Sequence, residues 1–257
     1  MHEPVTGRSA LVLLALALAL TGGLAASGAA RPPGPGQSTE SHLLPGFAAL
    51  LKRDPPEHRR PGLQAVSLTD ETWVCAGPVG LASVTVTMTR AHPSRRGGDA
   101  VHLERGCTGR IGRLVVRTWV ADGVKIADGV HDLTVRGGSI RCLGKLPAVH
   151  QDGVQVMGGA RITLERLRID CGRAGERLIN SNLFIKESGR SRAPPTDVVC
   201  VRCRLGGSAA HTVSIQRSVR SGVEHSTLCA GKFPRLTLDV GPDAVDPVIA
   251  RDSVGAC

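Results

Sequence analysis

The sequence predicts an all-β protein built as a parallel β-helix, a single solenoid of stacked strands. Three observations carry that prediction. Five segments superpose without gaps, "DAVHL" (99–103), "DGVKI" (122–126), "DGVQV" (152–156), "SNLFI" (181–185) and "HTVSI" (211–215), with starts 23, 30, 29 and 30 residues apart. Each carries apolar residues at its third and fifth positions, the period of two that marks a half-buried strand. No helical apolar pattern of ten or more residues occurs after Leu63, and no Asn-Gly turn joins the strands as hairpins, so the repeat runs in one sense.

Taken in order, the chain opens on a secretory-type leader. Arg8 lies in a short polar region, the apolar run "ALVLLALALAL" (10–20) follows, and small residues offer cleavage points between Ala26 and Ala30. The run is shorter than the ~20 apolar residues a membrane span needs, and no second such run follows, which predicts a secreted chain without an anchor after cleavage of residues 1–30. Residues 31–62 are rich in Pro and charge, as a tether is. Within them "LPGFAALLKR" (44–53) has the pattern of a short amphipathic helix that would cap the open end of a β structure. Residues 63–257 then form the β-helix domain. A second strand is expected after each of the five segments, at "GRLVV" (112–116), "HDLTV" (131–135), "ARITL" (160–164), "TDVVC" (196–200) and "SGVEH" (221–225). A third apolar step follows at Ile140, Ile169, Leu205 and Leu228, giving about five coils stacked at ~4.8 Å.

Eight cysteines suit an oxidising compartment. Cys142 and Cys171 each stand two residues after a third-step isoleucine, so stacking brings them into bonding range and predicts a disulfide. Cys75–Cys107 and Cys229–Cys257 follow from proximity alone. The "CVRC" stretch (200–203) has zinc-like spacing but no second ligand pair, and within a strand its sulfurs would point to opposite faces, so a packed or disulfide role is expected ahead of a metal one.

The formal charge is +10, and its Lys and Arg residues are scattered. That balance suits an acidic polysaccharide or an anionic cell-surface glycan as partner, and equally a merely soluble surface. With no Tyr, two Trp and three Phe, the chain lacks the basic, aromatic stripe of a nucleic-acid binder. A monomer is expected.

Stacking the five segments makes a column of their first residues, Asp99, Asp122, Asp152, Ser181 and His211, with Gln151 and Asn180 beside it. Here the chain resembles the pectin-lyase-like superfamily of right-handed β-helices, and its motif order is similar to polygalacturonase-type glycoside hydrolases. "HQDGVQV" (150–156) resembles their Asn-Thr-Asp-Gly strand and carries over Asp152. "AAHTVSI" (209–215) resembles their Gly-His-Gly-x-Ser-Ile segment and carries over His211, Ser214 and Ile215. The aspartate pair that the family places one coil on is Asn180-Ser181 here, and no Arg-x-Lys follows His211, although Arg217 and Arg220 stand nearby. A hydrolase needs an acid and a base, so the resemblance implies β-elimination from a uronate more readily than hydrolysis. Asp122, Asp152 and His211 are the catalytic candidates. Asp122 and Asp152 would share a Ca²⁺ ion through oxygen ligands, as metal-dependent lyases of the superfamily do. Substrate contacts would come from His150, Gln155, Asn180, Phe184, Lys186, Lys125 and Arg217, with Phe184 the outward aromatic beneath the "GRSRAPPTD" insertion (189–197).

Each feature has a plainer reading. An Asp before Gly123 or Gly153 hydrogen-bonds a coil turn. Asn180 and Asn182 would stack as an amide ladder. The scaffold would then be a non-catalytic binding or cell-surface protein. The two functions separate on whether acid, base and cation converge in an open groove.

Overall fold

The computed structural model describes residues 64–89, 99–119, 121–143, 151–171, 173–174, 177–178, 180–189, 191, 193–206, 210–230 and 237–255. The leader, the Pro-rich segment and the expected capping helix lie outside them. No helix occurs among the described residues; the strands are parallel except for the two-residue pair Arg173–Ala174 and Arg177–Leu178.

The chain winds as a parallel β-helix with three strand faces. The first face stacks Trp73–Cys75, Val101–Leu103, Val124–Ile126, Asp152–Val156, Ser181–Lys186, His211–Gln216 and Leu238–Val240. Seven strands therefore stand where five were expected, because one further coil lies at each end of the repeat. All five predicted segments pair in the predicted register: Val124 sits opposite Val101 and Val154, Leu183 opposite Val154 and Val213.

The second face comprises Pro78–Leu81, Thr108–Ile111, the first halves of His131–Cys142 and Ala160–Asp170, then Thr196–Val201, Gly222–Glu224 and Val248–Ala250. The third runs from Ala65–Thr69 and Ser83–Thr87 through Leu114–Thr118 and the second halves of those two long strands. It ends at Arg204–Gly206, Thr227–Cys229 and Ser253–Gly255. The expected second-face strand "GRLVV" is a correction. Its Leu114 pairs with Gly138, on the third face, and Thr108–Ile111 takes the second-face place instead.

The core is a set of stacked apolar rows. Val101, Val124, Val154, Leu183 and Val213 are buried in one of them, and Val86, Val116, Ile140, Ile169, Leu205 and Leu228 in another. β-Branched residues suit such rows because their stiff side chains pack on a pleated surface. Each coil presents the same small set of aliphatic shapes to the next.

Corners between faces are made by residues in the left-handed region. At the start of the second face these are Asp132, Arg161, Asp197, Arg220 and Asp246, with φ from 45° to 55°. The register stacks them one above another. Their charges alternate, and Arg161 closes a bidentate pair on Asp132 (2.6 and 2.7 Å), as Arg220 does on Asp197 (2.7 and 2.8 Å). The Arg161 guanidinium, helped by His131, holds the Asp132 carboxyl well below the usual carboxylate range.

Disulfides tie successive coils. Cys142–Cys171 forms with a Cα separation of 4.6 Å, and Cys75–Cys107 with 5.4 Å. Cys229 is also disulfide-bonded; its expected partner, Cys257, lies outside the described residues. Cys200 bonds Cys203, which excludes a zinc role for that pair. The sulfurs do not point apart, because the left-handed Arg202 (φ 54°) turns the chain between them and directs both inward. Replacing Cys142 and Cys171 together by alanine is expected to lower stability by about 3 kcal/mol, since the bond closes a loop of 29 residues. A urea melt of the double variant measures this; a midpoint equal to that of the parent chain would contradict it.

Candidate functional site

The column of first residues exists as read. Asp152 pairs with Ser181 and Ser181 with His211, while Asp99 and Asp122 precede strands in register with it. A glycine follows Asp122 and Asp152, where the neighbouring coil lies close against the backbone. At Gly153 a Cβ would stand 2.5 Å from Ile169 Cγ2 and 2.6 Å from the Asn182 carbonyl oxygen. Only glycine lets the coils close there, so its role is close approach, not an unusual φ.

Asp99, Asp122 and Asp152 are buried, Asp152 completely. The Asp152 backbone N–H donates to Asp122 Oδ1 (2.7 Å), so this carboxylate bonds the next coil and not its own turn. Asn180 Nδ2 donates to Asp152 Oδ1 (3.0 Å) and to Ser181 Oγ (3.0 Å), and Gln155 Nε2 to Asp152 Oδ2 (3.3 Å). Lys125 Nζ stands 3.7 Å from Oδ2 of both Asp99 and Asp122. On the coil beside it, His102 Nδ1 is 3.8 Å from Asp99 Oδ2. Burial pushes the Asp122 carboxyl up to about 7, reinforced by the charges of Asp152 and Asp99; burial likewise raises Asp99 against the pull of Lys125 and His102.

A second cluster lies on the same face further along the axis. Ser214 Oγ donates to Asp239 Oδ2 (2.9 Å), Gln216 Nε2 donates to both, and His211 Nδ1 is 3.7 Å from the same carboxylate oxygen. His211 stands three coils from Asp122, ~14 Å at the usual strand spacing, so the two clusters do not converge on one bond. Between them Phe184 occupies the outward row, opposite Gln155 and Ser214, with Lys186 Nζ 5.9 Å from its ring centroid. Arg217 is turned away at the strand end (φ 41°), its backbone N–H and Nε both donating to Asp243. His150 lies outside the described residues.

The amide ladder of Asn180 and Asn182 does not form. Asn180 precedes the strand Ser181–Lys186 and donates to Asp152, while Asn182 lies within that strand and its Oδ1 accepts the buried Cys171 N–H (2.8 Å). Two residues that the sequence reading did not select belong here. Asp239 sits on the seventh coil, where "LDV" repeats the Val-x-Ile alternation 25 residues on. His102 shares the outward row with Lys125, a position visible in the superposed segments.

A Ca²⁺ site on Asp122 and Asp152 does not fit this arrangement. One Asp122 oxygen accepts a backbone N–H and the other faces the Lys125 ammonium, while both Asp152 oxygens accept side-chain amides. No group of three His, Cys, Asp or Glu side chains is placed to hold a metal among the described residues. Lys125 supplies the positive charge a cation would bring.

Fold and column together define a disulfide-linked parallel β-helix with a row of polar side chains along its first sheet. No family model matches the chain, and neither a curated protein nor a solved structure matches it.

Proposed function

We propose that the chain is an extracellular, carbohydrate-active β-helix protein that holds an acidic polysaccharide along its first face and cleaves it by β-elimination. The observation that carries this reading is the juxtaposition of Lys125 and His102 over a buried aspartate pair. Lys125 (27 % exposed) and His102 (22 % exposed) are the side chains of that group that reach solvent beside Asp99. A polymer laid along the axis meets one coil every ~4.8 Å, passing Lys125, Gln155 and Phe184 in turn. A uronate carboxylate against Lys125 is neutralised there, which acidifies the C5 proton. His102, oriented by Asp99, takes that proton as the C4–O bond breaks and the C4–C5 double bond forms. The leaving oxygen receives a proton from the Lys125–Asp122 pair, since burial pushes the Asp122 carboxyl up to about 7 and leaves a large fraction of it protonated near neutrality. Disulfides on successive coils are compatible with an extracellular setting.

Binding without cleavage is the second reading. It is favoured by the near-complete burial of all three aspartates, each already supplied with a protein partner. The mature chain, incubated with a panel of uronate polymers, is expected to release unsaturated and reducing ends equally with Ca²⁺ or EDTA. His102→Gln is expected to lose about 100-fold or more of that activity while retaining polymer binding. Binding with no product from any polymer would discard the lyase and leave the binding protein. Absence of both would discard the proposal.

A further inference from the structure

The corner between the second and third faces uses the same backbone device as the corner that opens the second face, with a different charge pattern. Gly137, Arg166, Arg202, His225 and Arg251 all have left-handed φ, from 51° to 70°. The register places them in one column: Leu167 is opposite Gly138, Arg168 opposite Arg204, and Thr227 opposite both Arg204 and Ser253. The Arg202 N–H donates to the Glu224 carbonyl and the His225 N–H to the Ala250 carbonyl, which fixes one residue above the next.

At the corner opening the second face, left-handed residues of alternating sign compensate one another. Here four consecutive coils present only basic side chains. Like charges one coil apart repel, and long side chains are disfavoured at positive φ, where Gly or Asn is at ease. Acidic groups compensate only part of the row. Arg166 reaches Glu165 (3.4 Å) and His225 reaches Glu224 (3.5 Å), two glutamates set below the ridge. Arg202 and Arg251, like Arg204 beside them, form no ion pair among the described residues, and all three are exposed.

We infer that this ridge is a binding site for a linear acidic polysaccharide, separate from the first face and used to anchor the polymer. Three guanidiniums, from Arg166, Arg202 and Arg251, stand on one line of four coils spaced ~4.8 Å apart, with His225 in the third place, and offer a row of basic groups to an extended polyanion. The planar fork of arginine suits carboxylate and sulfate oxygens, which it can engage two at a time. The chain has no Tyr and only two Trp and three Phe, so the stacking platform that a single-stranded nucleic acid uses is missing.

The test is equilibrium binding of the mature chain to polygalacturonate, to dextran sulfate and to a DNA duplex, at two salt concentrations. R166N/R202N/R251N removes three charges with a residue that tolerates positive φ. It is expected to bind polygalacturonate and dextran sulfate about tenfold more weakly, as exposed charge contacts of modest individual strength are lost together. A preference for one of the two polymers separates carboxylate from sulfate recognition. D132N/R161N, at the other corner, is expected to bind as the parent does, and thermal melts establish that each variant is folded. The readout is binding, so it stands whether or not the first face cleaves anything. Parent-like binding by the triple variant, or tighter binding to the duplex than to either polysaccharide, would each overturn the inference.

Discussion

Gly138→Ala is expected to cost about 4 kcal/mol or more, a large part of what a domain of this kind has in hand. Gly138 lies at the bend that divides His131–Cys142 between two faces, pairing with Leu114 on one side and Leu167 on the other. Its φ is +127°, a region closed to side chains, and a Cβ there would overlap the Leu114 carbonyl. Backbone cannot rotate away as a flexible side chain can, so relief requires two coils to part. Gly137 is the internal control. It too has positive φ (+70°), but nothing stands within 4 Å of an added Cβ. Gly137→Ala should therefore cost only the left-handed strain, about 1 to 2 kcal/mol. Urea melts of the two variants side by side check the prediction. Equal effects would mean that the coils do not press together at Gly138 as described.

The next largest effect is a fall in stability as pH rises from about 4 to about 7, traced to Asp122. Its carboxyl is pushed up to about 7 in the fold from an ordinary value of 3.8, chiefly by burial and then by Asp152 and Asp99. Between those two values the folded chain keeps a proton that the unfolded chain has lost. Folding is therefore favoured at the acidic end of the window and progressively disfavoured as pH climbs through it. The difference is at most about 4 kcal/mol for one such group. Asp99 is raised as well and adds in the same direction. Asp132 and Asp243 are lowered and act the opposite way only below about pH 4, weakly, because both are exposed. Asp122→Asn keeps an oxygen for the Asp152 N–H while removing the titration. Its melting temperature is expected to vary less between pH 4 and 8 and to exceed the parent's at the upper end. An unchanged slope in that variant would assign the effect elsewhere.

The first face was legible because its signal is doubly written: two inward apolar residues per strand, and a period long enough to superpose. The same logic located Cys142 against Cys171. It failed at "GRLVV" for a physical reason. The true second-face strand of that coil, "TGRI", carries one inward apolar side chain, Ile111, whereas "GRLVV" offers two, Leu114 and Val116, in a neighbouring row. Alternation reports that a residue faces the core without saying from which side. The corners were illegible because arginine and aspartate hold left-handed positions usually betrayed by glycine or asparagine. The glycines before the apolar pairs were visible, but their cause lay in the next coil. In the candidate site, the aspartate column and its neighbours Lys125, Gln155 and Asn180 could be read by stacking alone. Asp239 needed the seventh coil, and the separation of His211 from Asp122 needed a count of coils between them.

The alternating corner also answers a question that the core leaves unasked. A strand that skipped one coil would still find a valine or an isoleucine waiting, since the inner rows barely distinguish one level from another. The charges Asp132, Arg161, Asp197, Arg220 and Asp246 repeat with twice that period. A skipped level would set Asp132 against Asp197 and Arg161 against Arg220, exchanging attractions for repulsions of about 1 kcal/mol each even in a water-like dielectric. The alternation thus makes a winding shifted by one layer less favourable than the native one, a distinction that hydrophobic burial alone would not draw.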